Sequence, residues 1–279
     1  MRVAARITGA AIFACCLHFA AVRHVRAQDG QVLMPDESAA KAKQVLQQTI
    51  ESLGGSAYLN IRDLTCTGDI SQFDHSGALT GYGKFILFSV PPDKQRQENL
   101  PKRNIIYVYN GDKGWTLDRG GVAEAPMADL AAFQGDLDID INNILRHRIH
   151  EPTMIFRYGG EDIVNLNEVD WVELVDGNDR TFRIAVSRST HLPIQKITET
   201  LDPDTRTRTV QIEDYSNYQL IQGIQTPFQI TRWRNQMHVY QAFFIGCQYN
   251  TGLQDSLFTR QSLEGRWDQV DSKHKKQKN

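Results

Sequence analysis

What the chain lacks narrows its class first. Its 279 residues hold no uninterrupted apolar run of the roughly 18–20 residues that a membrane-spanning helix needs. Neither sign of charge dominates. With 31 basic and 33 acidic side chains the net charge is −2, which gives nucleic-acid binding no footing. Glycine (20) and proline (9) are too few for collagen-like or low-complexity segments, and an apolar share of 41% is too high for a disordered chain. Catalytic signatures are also missing: no Gly-x-Ser-x-Gly elbow, no Gly-x-Gly-x-x-Gly fingerprint and no phosphate loop. Asp74-His75-Ser76 sets three triad-type residues side by side, but neighbours on an extended strand point to opposite faces, so they read as a turn before Gly77. Neither catalysis nor a cofactor is expected.

Cysteine is scarce too, and half of it sits in an apparent leader. Arg2 and Arg6 open a basic start, and residues 7–22 are apolar apart from Thr8, Gly9 and His18. Val25-Arg26-Ala27 then offers small-residue spacing for cleavage before Gln28, so residues 1–27 read as a secretory signal peptide. The competing reading of a membrane anchor is weakened by the short, interrupted stretch. Lipidation at Cys15 is disfavoured by the bulk of Phe13. Removing residues 1–27 takes away four arginines and no acid, leaving a charge of −6. Cys66 and Cys247 remain, and in an oxidising compartment they form either one disulfide or two buried thiols.

Two amphipathic helices are predicted. Residues 35–55 place Ala42, Val45, Leu46, Ile50 and Leu53 at helical spacing, with Asp36 as the cap, Glu37 in the first turn and Gly54-Gly55 as the stop. Residues 127–146 form a second stripe through Leu130, Phe133, Leu137, Ile141, Ile144 and Leu145, with Gly135 as an interruption. His147-x-x-His150-Glu151 follows. Two imidazoles three apart can share a zinc ion, but a third ligand is missing and Pro152 signals departure from the helix, so solvent-exposed histidines are expected and no metal. Lys273, Lys275, Lys276 and Lys278 mark residues 273–279 as a basic, disordered tail, with weak attraction to anionic headgroups as the alternative.

The rest alternates with period two, in segments near 61–71, 80–90, 95–100, 104–110 and 113–119, and then 153–158, 162–166, 169–176, 180–188, 192–200, 206–218, 226–235 and 237–248. Short turns such as Asn110-Gly111-Asp112 and Asp202-Pro203-Asp204 imply antiparallel neighbours. The expected apolar face carries Phe85, Leu87, Val172, Leu174, Phe182, Ile184, Val186, Phe228, Ile230, Phe243 and Ile245. Trp115, Trp171 and Trp233 suit packing as well as ligand contact.

The order of these pieces resembles the LolA-like family of periplasmic lipoprotein carriers. The likeness lies in a leader, a helix ending in Leu53-Gly54-Gly55, and then Pro91-Pro92-Asp93-Lys94-Gln95-Arg96 and the Tyr109-Asn110-Gly111-Asp112-Lys113-Gly114-Trp115 hairpin. Leu192-Pro193-Ile194-Gln195-Lys196, Asp214-Tyr215 and Gly223-Ile224-Gln225-Thr226-Pro227 continue it, over roughly residues 36–259. The resemblance implies a mainly β (α+β) fold: a strongly curved, incomplete antiparallel barrel of about 11 strands, covered by helices on its concave side. Such proteins hold acyl chains, but no residue of that function maps onto this chain individually.

The expectation is therefore one domain over residues 28–272. It would be an exported periplasmic monomer without a membrane span, binding or carrying a lipid or acylated protein in a cavity lined by the apolar set above. Val45, Leu46, Ile50, Leu130, Phe133, Leu137 and Ile141 would form the lid. The competing expectation is an envelope assembly module that docks a partner protein in its concavity.

Overall fold

The computed structural model describes residues 33–201 and 206–277. The expected leader, Cys15 within it, and Lys278 lie outside these residues. Helix α1 (Pro35–Leu53) starts as Pro35 permits, although Asp36 is not its cap. Met34 is the capping position, and its backbone N–H donates to the Glu37 carboxylate at 3.1 Å. Gly54 ends the helix with φ +133°. A side chain there would meet the Gly223 carbonyl oxygen at 2.5 Å, so the helix stop is also a backbone-to-backbone contact. A short helix α2 (Ser56–Leu59) follows.

The strands are β1 (Leu64–Phe73), β2 (Leu79–Val90), β3 (Lys94–Leu100), β4 (Ile106–Asn110), β5 (Lys113–Asp118) and β6 (Gly121–Glu124) before the central helices. After them come β7 (Ile155–Val164), β8 (Asn167–Val175), β9 (Thr181–Ser187), β10 (Pro193–Leu201), β11 (Arg208–Ile221), β12 (Ile224–Arg234) and β13 (Met237–Tyr249). All belong to one antiparallel sheet of 13 strands ordered β6-β5-β4-β3-β2-β1-β13-β12-β11-β10-β9-β8-β7. The 13 strands exceed the roughly 11 that the resemblance implied and equal the number of alternating segments, though the division differs. β6 is an added edge strand, and the segments 153–158 and 162–166 are one strand with a register shift between Tyr158 and Gly160, not two joined by a turn.

Two meanders meet where β1 pairs with β13, and Cys66 faces Cys247 across that seam in a disulfide. The sheet stays open, as an incomplete barrel. Its edges are joined by the crossing from β6 to β7, which carries α3 (Met127–Ile139) and α4 (Ile141–Arg146). The break between them falls at Asp140, not Gly135. Asp140 leaves helical backbone and its carboxylate caps α4 by accepting from the Asn143 N–H at 2.9 Å.

The concave face divides into two regions. Against β8 and β9, Ala42, Val45, Leu46 and Ile50 of α1 bury Val172, Leu174, Phe182, Ile184 and Val186 in one continuous core, with Ile144 and Leu145 of α4. On the opposite face of these strands Val169, Trp171 and Ala185 are also buried, packed with Val164, Ile194 and Ile197. Helix α5 (Arg260–Gln277), where a tail was expected from residue 273, covers the convex side of the other half. There Phe258, Leu263 and Trp267 pack with Ile106, Val108, Trp115 and Leu117.

The seam disulfide closes a chain separation of 181 residues. Replacing Cys66 and Cys247 together by serine should cost about 2–5 kcal/mol in urea unfolding, since long loops lose most unfolded-state entropy on cross-linking. A thiol assay on the denatured, unreduced protein should find no free thiol from this pair.

Candidate functional site

The unsealed half of the concavity holds a cavity of about 480 Å³ under α3 and α4. That falls in the range of pockets that enclose small ligands. Its floor is the seam. Cys66 and Cys247 line it beside Phe85 and Leu87 of β2, Tyr215 and Tyr218 of β11, Ile230 of β12, and Phe244 of β13. Its roof is Phe133, Leu137, Ile141 and Leu145. The ring of Phe133 stacks on Tyr109 at 4.4 Å between centroids, and it is the one buried residue of α3. This lid covers more than it fills.

Of the side chains expected to line a cavity, Phe85, Leu87, Ile230, Phe133, Leu137 and Ile141 do so. Val172, Leu174, Phe182, Ile184 and Val186, with Val45, Leu46 and Ile50, lie in the closed core. Phe228 is buried outside the lining, and Leu130 is half-buried. Phe243 and Ile245 are corrected: they face solvent, 42% and 65% exposed. The cause is a bulge opposite Thr67 and Gly68, which lets β13 pass Ile245 unpaired and reverses its alternation. Phe244 and Ala242 thereby turn inward. Gly68 is needed at this point, because a side chain there would meet the Phe243 carbonyl oxygen at 2.4 Å.

One row of register partners crosses the concave face as Ile184, Lys196, Glu213, Arg232 and Tyr240. Three charges thus occupy positions that strand alternation reserves for apolar residues. Lys196, 0% exposed, pairs with Glu213 at 2.5 Å and donates to the Ile139 carbonyl at the end of α3. Arg232 meets Glu213 at 2.7 Å and Asp136 of α3 at 3.2 Å, and the Tyr215 hydroxyl donates to Glu213 at 2.7 Å. On the far side Arg180 pairs with Asp138 at 2.9 Å, while Arg148 donates to the Asp138 carbonyl at 2.7 Å. The C-terminal turn of α3 is therefore held by ions on both flanks.

Burial works to raise the Glu213 carboxyl. Lys196 and Arg232, helped by hydrogen bonds from Lys196 and Tyr215, outweigh it and hold the group at about 2. Asp176 is likewise held at about 2: its burial is overcome by Arg148, Arg180 and neighbouring backbone N–H groups. Asp140 moves the other way, raised by burial against the pull of Lys196.

His147 lines the cavity and His150 is exposed. Helix α4 ends at Arg146 with His147 as its C-cap, His150 closes the 3-10 turn that follows, and no grouping of three potential metal ligands occurs among the described residues. Asp74 accepts from the Ser76 N–H, the Ser76 hydroxyl and the Ala78 N–H, forming the β1–β2 turn. Trp171 and Trp233 donate to Asp162 and Asp214 respectively, outside the cavity lining.

No protein-family model matches the chain, and no curated protein sequence matches it. Solved structures do share its fold. A DUF1329 family protein from Desulfovibrio piger aligns with a TM-score of 0.58 at 15% identity, covering 80% of this chain and 98% of its own. A putative outer membrane lipoprotein-sorting protein domain from Vibrio parahaemolyticus (10% identity) and a LolA superfamily protein from Nitrosomonas europaea (12%) each align with a TM-score of 0.53 over 80% of this chain and 99% of theirs. At these identities the likeness shows a LolA-type open barrel, and the fold alone.

Glu213→Gln would strand the buried Lys196 ammonium, so a loss of about 3–5 kcal/mol is expected in chemical denaturation. A depressed carboxyl stabilises above its ordinary value of 4.5, and that contribution fades as pH falls from 4.5 towards 2. The variant should lose part of the wild-type dependence in this window, with Asp176 accounting for much of the rest.

Proposed function

We propose that this protein is an exported, non-catalytic binder or carrier of lipid-like or acylated molecules in the cell envelope. The observation that carries the reading is the unfilled cavity of about 480 Å³ beneath α3 and α4, beside a core in which α1 and α4 bury the apolar face of β8 and β9. A sheet able to bury its apolar face under helices on one half has no packing reason to leave the other half open. Export through a cleaved leader agrees with the seam disulfide, which belongs to an oxidising compartment. No helix among the described residues is long and apolar enough to cross a membrane.

The energetics suit exchange. Moving an acyl chain out of water gains about 0.8 kcal/mol per methylene, but a bilayer offers nearly as much, so extraction and delivery lie close to balance. The sorting role in the printed name of the Vibrio relative supports lipoprotein acyl chains as the ligand class, and the protein is expected to act as a monomer.

Native mass spectrometry of the exported protein should show a co-purifying lipid, and a fluorescent fatty acid should bind at micromolar concentration. Leu87→Trp, which fills the cavity, should weaken that binding at least about tenfold, the cost of one poorly accommodated contact of roughly 1.4 kcal/mol. Ile245→Ser on the convex face should leave it unchanged. A protein partner captured in the concavity with no lipid found by either method would favour the assembly-module reading instead.

A further inference from the structure

The charges in the cavity wall are not all matched by contact. Glu213, Lys196, Arg232 and Asp136 neutralise one another through direct ion pairs. Arg146, at the end of α4, also lines the cavity, yet it forms no ion pair among the described residues. Its terminal Nη2 donates to the carbonyl oxygens of Ile61 at 2.6 Å and Leu59 at 3.4 Å. Those bonds hold the guanidinium in place without neutralising it. Asp140 and the Tyr58 and Tyr249 hydroxyls act on it through space, and none accepts a hydrogen bond from it.

Five buried side-chain polar atoms have no hydrogen-bond partner among the described residues, and Arg146 Nε is the one that belongs to a cavity-lining residue. A buried N–H on a cation that lacks both solvent and acceptor carries an uncompensated desolvation cost. Guanidinium is the side chain best shaped for carboxylate and phosphate. The wall beside it supplies further polar groups, Asn142 and His147, while the seam floor carries the apolar Cys66–Cys247 bridge, Phe85, Leu87 and Phe244.

We infer that the cavity selects anionic amphiphiles, with the carboxylate or phosphate head paired to the Arg146 guanidinium and the chain lying over the seam towards Phe85 and Leu87. This deepens the binder reading and rests on it. Because Nε is sealed from water in the empty protein, the head must draw the Arg146 side chain a short way into the cavity to take up that hydrogen bond.

The test measures binding of single-chain amphiphiles of equal chain length to the exported full chain, below their micelle concentrations, by displacement of a fluorescent neutral probe. Palmitate and a monoacyl phosphate are compared with hexadecanol and hexadecyl trimethylammonium. Inorganic phosphate and acetate serve as chain-free anions. The wild type should prefer both anionic amphiphiles over the alcohol by about tenfold to a hundredfold, the worth of one charge-assisted hydrogen bond. Arg146→Gln should reduce that preference to within about threefold, through weaker binding of the two anionic amphiphiles, and Arg146→Lys should keep an intermediate preference.

Near-equal binding of all four amphiphiles to the wild type would overturn the selectivity while leaving the binder reading intact. That result needs no variant, so a misfolded Arg146→Gln cannot rescue the idea. Failure of every amphiphile to bind would overturn both. Displacement by inorganic phosphate or acetate as tight as that by the amphiphiles would assign the site to free anions and overturn the lipid ligand.

Discussion

Everything here turns on how an open antiparallel sheet is bridged from edge to edge. The two meanders meet at the β1–β13 seam, so the chain between β6 and β7 begins and ends on opposite edges of a 13-strand sheet. A right-handed twist over that many strands bends the edges round, and the linking segment spans the hollow that results. Helices α3 and α4 are thus a strap as much as a lid. Their ends are fixed by topology, and their apolar stripe is narrower than the surface below.

That constraint explains why the strap is fastened by charge. An apolar helix pressed onto an apolar floor would have collapsed the cavity. Asp136, Asp138 and the Ile139 carbonyl instead meet Arg232 and Lys196 of the concave face and Arg180 at the β8–β9 turn. Ion pairs of this kind contribute little net stability once desolvation is counted, but they fix where a helix ends. The arrangement keeps the roof in register while leaving the space beneath Leu137 and Ile141 unfilled.

Much of this was legible in the residues. The helix over 35–55, the antiparallel meander and the apolar face of β8 and β9 follow from periodicity alone. The succession of turns led to the open barrel that solved structures share. What escaped has identifiable causes. Alternation cannot reveal the bulge at Ile245, because a single unpaired residue swaps both faces without altering composition. The charged row at Lys196, Glu213 and Arg232 had a usable signal, since each stands at an inward position of its strand, yet inward polarity becomes informative only once the three strands are placed in register. Helix α5 has few apolar residues, and its docking depends on Leu263 and Trp267 meeting strands some 150 positions earlier in the chain.

The seam also sets a schedule for how the molecule is completed. Strand β1 is among the first to emerge during synthesis, and its partner β13 is the last, so one whole side of β1 stays without backbone partners until nearly the full chain is present. Such non-local pairing is slow to form and leaves an adhesive strand margin open meanwhile. A polypeptide truncated before residue 237 would carry that margin permanently, with its first six strands ready to recruit a foreign strand. The unpaired rim of β1 is thus the mark of an unfinished molecule, and it disappears only once β13 has been made.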